Sequence, residues 1–280
     1  MRRLPSPNSS VLRRQGWPVL LILAALALTL VAERAWIRHG LEQADYAPPP
    51  AGMVLVPAGW FLMGSDDPEA EPDERPLRRV WLPTYYLDRL EVTNRQLAAV
   101  LPQHTYPAGE NDLPATHVLK AEAEAYARAV GQRLPTAAEW EKAARGTDGR
   151  AYPWGNDWRP ECANVQRRDL PSAASAGEAC EIRPGRKLKG GSFPCSESPC
   201  GAEDMAGNVW EWVAEVHRDR GWLGWPVGQT RGILKGGAYG YGPRQCRASY
   251  NGFEGLESTC NDTGFRCARM AETTPLGRGG

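Results

Sequence analysis

The 280 residues are enough for one large globular domain with accessory segments. Lys plus Arg and Asp plus Glu both number 33, so no net charge attracts nucleic acid or an anionic surface, and we expect no nucleic-acid partner. The 30 glycines, 24 prolines and 11 tryptophans exclude a plain helical bundle and predict a turn-rich domain with much irregular backbone.

The N-terminus combines basic residues with an apolar run over residues 17–32. Positive charge before such a run directs the remainder of the chain out of the cytoplasm. We therefore expect a cytoplasmic segment over residues 1–16, a single-pass signal-anchor in the cytoplasmic membrane, and a domain facing the periplasm or outside. The run is near the lower limit for a span, roughly 17 residues, so the core of a cleaved signal peptide is the alternative. The Arg13-Arg14 pair also leaves a twin-arginine signal open.

Three further segments complete the predicted organisation. Residues 33–51 are polar and end in three prolines, which is typical of an extended stem. Residues 52–270 contain no linker-like stretch, so we predict one domain there. Residues 271–280 are predicted to be a disordered tail.

The first part of the domain is predicted to be strands. Met53–Pro57 and Trp60–Met63 flank Ala58-Gly59, a pattern that predicts a hairpin. An acidic, proline-containing loop follows over residues 65–76, and Val80–Leu87 is then predicted to be a strand.

Three helices follow from their caps and apolar spacing. Thr93 is predicted to cap a helix that runs to Val100. Lys120–Val130 is predicted to be the second helix, ended by Gly131. The segment Thr136-Ala-Ala-Glu139 has the pattern of a capping box and predicts the third. The last part of the domain alternates short apolar runs with glycine, which favours short strands and long loops.

Seven motifs succeed one another in the domain and resemble those of the formylglycine-generating enzyme (sulfatase-modifying factor) family. They occupy residues 53–65, 86–94, 133–145, 152–156, 204–212, 234–237 and 263–267. The third, RLPTAAEWEKAAR, is a near-complete match to the family's signature helix. The resemblance implies a compact α+β fold related to C-type lectins, with short strands, few helices and much irregular structure.

The resemblance also identifies the position of the family's copper chemistry. In the copper enzymes two cysteines after the glycine pair hold Cu(I), because soft thiolates select that ion. Here the second position is Cys246 and the first is Tyr241, whose phenol is a hard donor. Ala238 stands where the enzymes present a serine. We therefore expect neither copper binding nor an active formylglycine-generating oxidase.

Calcium is the cofactor that the resemblance does imply. From spacing alone, Asp204–Val213 is helix-like, with Asp204, Asn208 and Glu211 on one face. In the family this segment holds calcium, which prefers hard oxygen ligands. The implied ligands are the side chains of Asp204 and Glu211 and the carbonyls of Gly207 and Val209, with a second, weaker site at Asn164 and Val165.

All seven cysteines lie in the C-terminal half, without CxxC spacing, which favours a disulfide-bearing exported domain over a zinc site. The resemblance places the usual partner of Cys267 at Ala127, so Cys267 is expected to be unpaired. The other six are predicted to pair by proximity as Cys162–Cys180, Cys195–Cys200 and Cys246–Cys260.

The function that we predict is a non-catalytic binding or regulatory domain of the cell envelope, engaging an envelope protein or peptide. Some family members serve as accessory regulators in type VI secretion and envelope signalling. The alternative is an oxygen-dependent protein-modifying enzyme with an altered metal site, and a glycan binder is a third reading. Besides Cys246, the residues expected to line the cleft are Ala238, Tyr239, Tyr241, Arg244 and Arg247.

Overall fold

A computed structural model describes residue 23 and residues 45–165, 185–220 and 226–273. The chain divides into two compact units, Met1–Ala44 and Asp45–Gly280. Apart from residue 23, the predicted cytoplasmic segment and signal-anchor lie outside the described residues, as do residues 274–280 of the predicted tail. No helix among the described residues is long and apolar enough to cross a membrane.

The described part of the second unit contains three α-helices and nine strands. The helices are α1 (Asn94–Val100), α2 (Lys120–Ala129) and α3 (Ala137–Arg145). The strands are β1 (Met53–Val56), β2 (Gly59–Met63), β3 (Arg78–Leu82), β4 (Tyr85–Asp88), β5 (Trp210–Arg220), β6 (Pro226–Lys235), β7 (Gly252–Gly255), β8 (Thr263–Gly264) and β9 (Ala268–Met270).

These strands form three small sheets in the orders β1-β4-β9, β2-β3 and β7-β6-β5-β8. All described pairings are antiparallel except that of β5 with β8. Long irregular segments connect them, which confirms the predicted α+β fold with short strands and few helices.

The predicted opening hairpin is wrong, although both of its strands exist. β1 pairs with β4, with Met53 opposite Asp88, whereas β2 pairs with β3, with Gly59 opposite Leu82. The strand predicted over residues 80–87 is correspondingly two strands, β3 and β4. In a tight hairpin the backbone groups of β1 and β2 would hydrogen-bond to each other. Here β4 and β3, which are more distant in the chain, form those hydrogen bonds.

The three predicted helices are confirmed together with their caps. Thr93 Oγ1 accepts a hydrogen bond from the backbone N–H of Gln96 at 3.3 Å. Thr136 Oγ1 accepts from the N–H of Glu139 at 3.1 Å, and Glu139 Oε2 accepts from the N–H of Thr136 at 2.8 Å. Such reciprocal bonds satisfy N–H groups that the first helical turn leaves without partners.

The helix predicted over residues 204–213 is wrong. Asp204, Gly207 and Asn208 have φ angles of 56°, 86° and 63°, which are left-handed and incompatible with a continuous right-handed helix. Strand β5 begins at Trp210 instead. Asp204 and Glu211 therefore do not share a helical face, and their surroundings follow from tertiary contacts.

Tyr46 and Ala47, in the predicted stem, contact the C-terminal end of the described chain. Tyr46 forms an isolated bridge with Thr273, and the N–H of Ala47 donates to the carbonyl of Glu272 at 3.1 Å. The Tyr86 hydroxyl donates to the carbonyl of Ala47. The last residues of the predicted stem and the first of the predicted tail thus pack on the domain.

Candidate functional site

Cys246, the residue matching the family's second copper cysteine, is completely buried. It lies in the segment after β6 and packs with Tyr152, Ala163 and Ala206. Burial raises the pKa of its thiol to about 12, so the thiol stays protonated at neutral pH. Cys246 is not in a disulfide, and the predicted Cys246–Cys260 bond is therefore wrong.

Tyr241, at the first copper position, packs through its ring. Its centroid lies 5.2 Å from that of Trp210 in an edge arrangement, and its N–H donates to the carbonyl of Ala238 at 2.9 Å. Ala238 itself is fully buried and offers no hydroxyl. These residues form a packed turn at the position of the family's copper chemistry.

The residues predicted to line a cleft differ in accessibility. Ala238 and Tyr239 are buried, and Gly185 lies so close that a Cβ on it would approach the Tyr239 ring to 2.9 Å. Tyr241 is half-buried, Arg247 is buried, and Arg244 keeps 48% of its side chain exposed. Tyr241 and Arg244 are thus the members of the set that a ligand could reach without rearrangement.

Both arginines of this set hold the acidic loop that precedes β3. Arg244 pairs with Glu71, and Arg247 Nη2 donates to Glu74 Oε1 at 2.6 Å. The other oxygen of Glu74 accepts from Ser249 Oγ at 2.6 Å. Glu74 is buried, so these bonds fix the loop against the Cys246 segment. The run of acids in the loop was visible in the sequence, but its partners were not.

Glu211, one of the implied calcium ligands, forms a buried ion pair with Arg266. Arg266 donates from Nε to Glu211 Oε2 and from Nη2 to Oε1, both at 2.7 Å. Trp140 Nε1 donates to the same Oε2 at 2.7 Å. The carboxylate is therefore neutralised and fully hydrogen-bonded by protein groups.

Asp204 lies beside Glu91, a buried acid that was not among the predicted site residues. The N–H of Gly191 donates to Asp204 Oδ2 at 2.6 Å, and Asn208 Nδ2 donates to Glu91 Oε1 at 2.8 Å. Burial first, and then the Asp204 charge, raises the pKa of Glu91 to about 8. Glu91 is the sixth residue of the motif over residues 86–94. In the sequence, membership of that motif is what could have marked it as a site residue.

The weaker predicted site, Asn164 and Val165, lies against the same region. Asn164 Nδ2 donates to Asn208 Oδ1 at 3.0 Å and to the carbonyl of Arg186 at 2.9 Å. Gly207 comes so close that a Cβ on it would be 2.5 Å from the Asn164 carbonyl oxygen, and Val165 is buried. The structure brings the two implied calcium sites into contact through Asn208 and Gly207.

The donor set fits a hard cation in part. No three His, Cys, Asp or Glu side chains among the described residues converge on one metal position. Glu211 is already occupied by Arg266, whereas Glu91 Oε2 is buried and has no hydrogen-bond partner. An orphaned carboxylate oxygen beside a second acid suits Ca²⁺, with carbonyls or water completing the coordination.

The cysteine pairing differs from the prediction. A disulfide joins Cys162 to Cys195, so the predicted Cys162–Cys180 and Cys195–Cys200 bonds are wrong. The Cys200 thiol instead donates to the carbonyl of Ala143 at 3.2 Å. Pairing cysteines by their proximity in sequence gave the wrong bonds, because the segment 185–200 packs against residues 160–165 in the fold.

Cys267 has a free thiol, as the loss of its family partner predicts. Burial and the neighbouring Asp88 carboxylate raise the pKa of this thiol well above its usual value. The N–H of Cys267 donates to Asp88 Oδ2 at 2.8 Å.

The sulfatase-modifying factor enzyme 1-like domain matches residues 40–271. The chain belongs to this family. It is 30% identical to the formylglycine-generating enzyme of Thermomonospora curvata, with 78% of this chain and 93% of the relative aligned. It is 28% identical to the mouse inactive C-alpha-formylglycine-generating enzyme 2, over 82% of this chain and 89% of the relative.

Two further proteins are similar to this chain, one in sequence and one in structure. The hercynine oxygenase of Mycolicibacterium smegmatis is 30% identical, over 72% of this chain and 57% of the oxygenase. The structure of PvdO from Pseudomonas aeruginosa superposes with a TM-score of 0.62 at 25% identity, covering 81% of this chain and 98% of PvdO. The fold is therefore that of the sulfatase-modifying factors.

Proposed function

We propose that this family member is a non-catalytic binding or regulatory domain. The state of Cys246 carries the proposal: it is the one match to the copper pair, it is fully buried, and burial holds its thiol protonated. Tyr241 supplies no second sulfur, and two thiolates are what a Cu(I) site of this kind requires.

The accessible groups of the predicted cleft support a binding role. Tyr241 is half-buried and Arg244 half-exposed, and the acidic loop that Arg244 holds is exposed at Asp66 and Asp67. An aromatic ring flanked by charges of both signs suits a polar peptide segment. The partner that we propose is a protein or peptide of the cell envelope.

The location that we propose rests on the N-terminal sequence. The apolar run over residues 17–32, preceded by Arg13 and Arg14, would hold the protein in the cytoplasmic membrane with the domain outside. Fractionation of cells expressing the full chain and a variant lacking residues 1–32 tests this. Release of the full chain into the soluble fraction, or a mature mass lacking the run, contradicts the anchor.

Copper binding is the decisive measurement for the function. We expect the full-length protein, reduced and mixed with Cu(I), to retain less than stoichiometric metal after desalting and to consume no oxygen with a cysteine-containing peptide. Tyr241→Cys restores the second sulfur and is expected to gain Cu(I), whereas Tyr241→Ser is the matched control and is not.

The alternative function has a distinct outcome. Stoichiometric Cu(I) in the unmodified protein, lost in Cys246→Ser and accompanied by oxygen consumption, would replace the binding domain with an oxygen-dependent protein-modifying enzyme. Retention of copper in Cys246→Ser as well would point to adventitious binding and leave the proposed function standing.

A further inference from the structure

The sheet β2-β3 presents two tryptophans on its outer face. Trp60 on β2 lies directly opposite Trp81 on β3, so the two side chains share a face. Phe61, the next residue along β2, is buried on the other face, which places both tryptophans on the side away from the core. Trp60 is 40% exposed, and the Arg79 guanidinium lies 5.1 Å from the centre of its ring. The face therefore offers an aromatic ring and a cation to a partner.

The end of this sheet that carries the tryptophans is uncharged. We call it the tryptophan tip, and it consists of residues 57–60 and 81–84, none of which is charged. The acidic loop over residues 65–76 leaves the sheet at its opposite end, where Met63 pairs with Arg78. An uncharged surface with exposed tryptophan suits the headgroup region of a bilayer, because the indole ring is apolar and its N–H can reach polar headgroups.

The tryptophan tip lies close to the point where the chain enters the domain. The N–H of Ala271 donates to the carbonyl of Thr84, the last residue of the tip, at 3.3 Å. Two residues further on, Thr273 forms its bridge with Tyr46. Tyr46 is the second residue of the described domain, so the chain that arrives from the N-terminus reaches the domain on the side of the tip.

A short connection to the predicted anchor would keep the tip near the bilayer. Residues 33–44 connect the apolar run to the described domain, and a chain of that length spans at most about 40 Å. We propose that the tryptophan tip contacts the headgroup region of the membrane, with Trp60 inserted between lipids and Arg79 donating to lipid phosphate. This contact rests on the proposed location of the protein in the cytoplasmic membrane.

Tryptophan quenching by brominated lipids tests the proposed contact. The full-length protein is reconstituted in phosphatidylcholine vesicles with or without bromine on the acyl chains, and bromine quenches those indoles that reach the bilayer. We expect Trp60→Phe to lower the quenchable fluorescence, because it removes an indole from the interface while keeping an aromatic ring on β2. Trp154→Phe is the matched control and is expected to leave that signal unchanged. The Trp154 ring stacks on Tyr152 and packs against the buried cluster of Cys246, outside the tip.

Carbonate extraction of the same vesicles separates this contact from the proposed location. Release of the full chain would overturn both. Retention of the chain, with equal quenchable fluorescence in Trp60→Phe and Trp154→Phe, would leave the location standing and overturn the contact. A second copy of the chain is the other occupant that an exposed tryptophan could serve. If the detergent-solubilised protein sediments as a dimer that Trp60→Phe dissociates, the tip is an interface between copies and the lipid contact is overturned.

Discussion

The guanidinium of Arg266 meets both carboxylate oxygens of Glu211 at 2.7 Å, although 55 residues separate them in the chain. Neither side chain is more than 1% exposed. The planar guanidinium and carboxylate form two parallel hydrogen bonds, and their opposite charges offset the cost of removing each group from water. Either charge buried without the other would destabilise the fold.

Arg266→Met is expected to destabilise the protein by about 3–5 kcal/mol, because Glu211 is left as a buried charge without its partner. Urea unfolding monitored by tryptophan fluorescence measures the loss. Arg269→Met is the matched control, since Arg269 pairs with Glu272 at the surface and its loss is expected to cost less than about 1 kcal/mol. Equal effects in the two variants would contradict the central role of the buried pair.

The disulfide predicts a specific peptide map. Digestion of the alkylated, non-reduced protein is expected to yield one fragment pair linking Cys162 to Cys195, with alkyl groups on Cys246 and Cys267. Cys195→Ser is expected to destabilise the domain by about 2–4 kcal/mol, because the bond closes a loop of 33 residues. Recovery of a Cys195–Cys200 peptide from protein never exposed to reductant would refute the assignment.

Gly237 is expected to resist substitution for two reasons. Its φ is 75°, and a Cβ would lie 2.7 Å from Cys246 Sγ. Gly109 has a φ of 89° with nothing within 4 Å of a Cβ, so Gly109→Ala measures the backbone cost alone, about 1 kcal/mol. Thermal unfolding should show Gly237→Ala losing about 1–3 kcal/mol more than Gly109→Ala. Similar losses would mean that Cys246 moves aside freely.

Asp88 makes the stability depend on pH. Burial raises its pKa from 3.8 to about 6, so the folded state binds a proton more tightly than the unfolded state does. This contribution to stability is complete below about pH 4 and is lost as the pH rises through about 6. In Asp88→Asn the side-chain oxygen can still accept the hydrogen bond from the N–H of Cys267, but the amide does not titrate. This variant is therefore expected not to lose that stability as the pH rises.

The free energy of unfolding of Asp88→Asn, minus that of the unmodified protein, is therefore expected to grow by about 2 kcal/mol between pH 4 and pH 7. Urea unfolding at four pH values measures it. Asp157→Asn, the same substitution at an exposed position, is the matched control. A constant difference for Asp88→Asn would mean that this carboxyl titrates normally in the folded protein.

Local structure was largely predictable from the sequence. The caps at Thr93 and Thr136 each act on a residue three positions ahead, so the residues that form them stand side by side in the chain. The family motifs gave the α+β fold in the same way, because each motif carries its own short element. The prediction of an opening hairpin was wrong because nothing in the sequence of β1 or β2 specifies which strand each pairs with.

The features of the candidate site can likewise be separated into those that depend on residue identity and those that depend on tertiary contacts. Tyr241 in place of a cysteine, Ala238 in place of a serine and the unpaired Cys267 are matters of residue identity, and the sequence by itself determined them. Only the tertiary structure decided that Cys162 bonds Cys195, that Arg266 neutralises Glu211 and that Glu91 is left with an unpaired oxygen. The disulfide and the ion pair join residues 33 and 55 positions apart. At such separations burial and the competition among many possible partners fix the outcome, and adjacency in the chain carries no information about it.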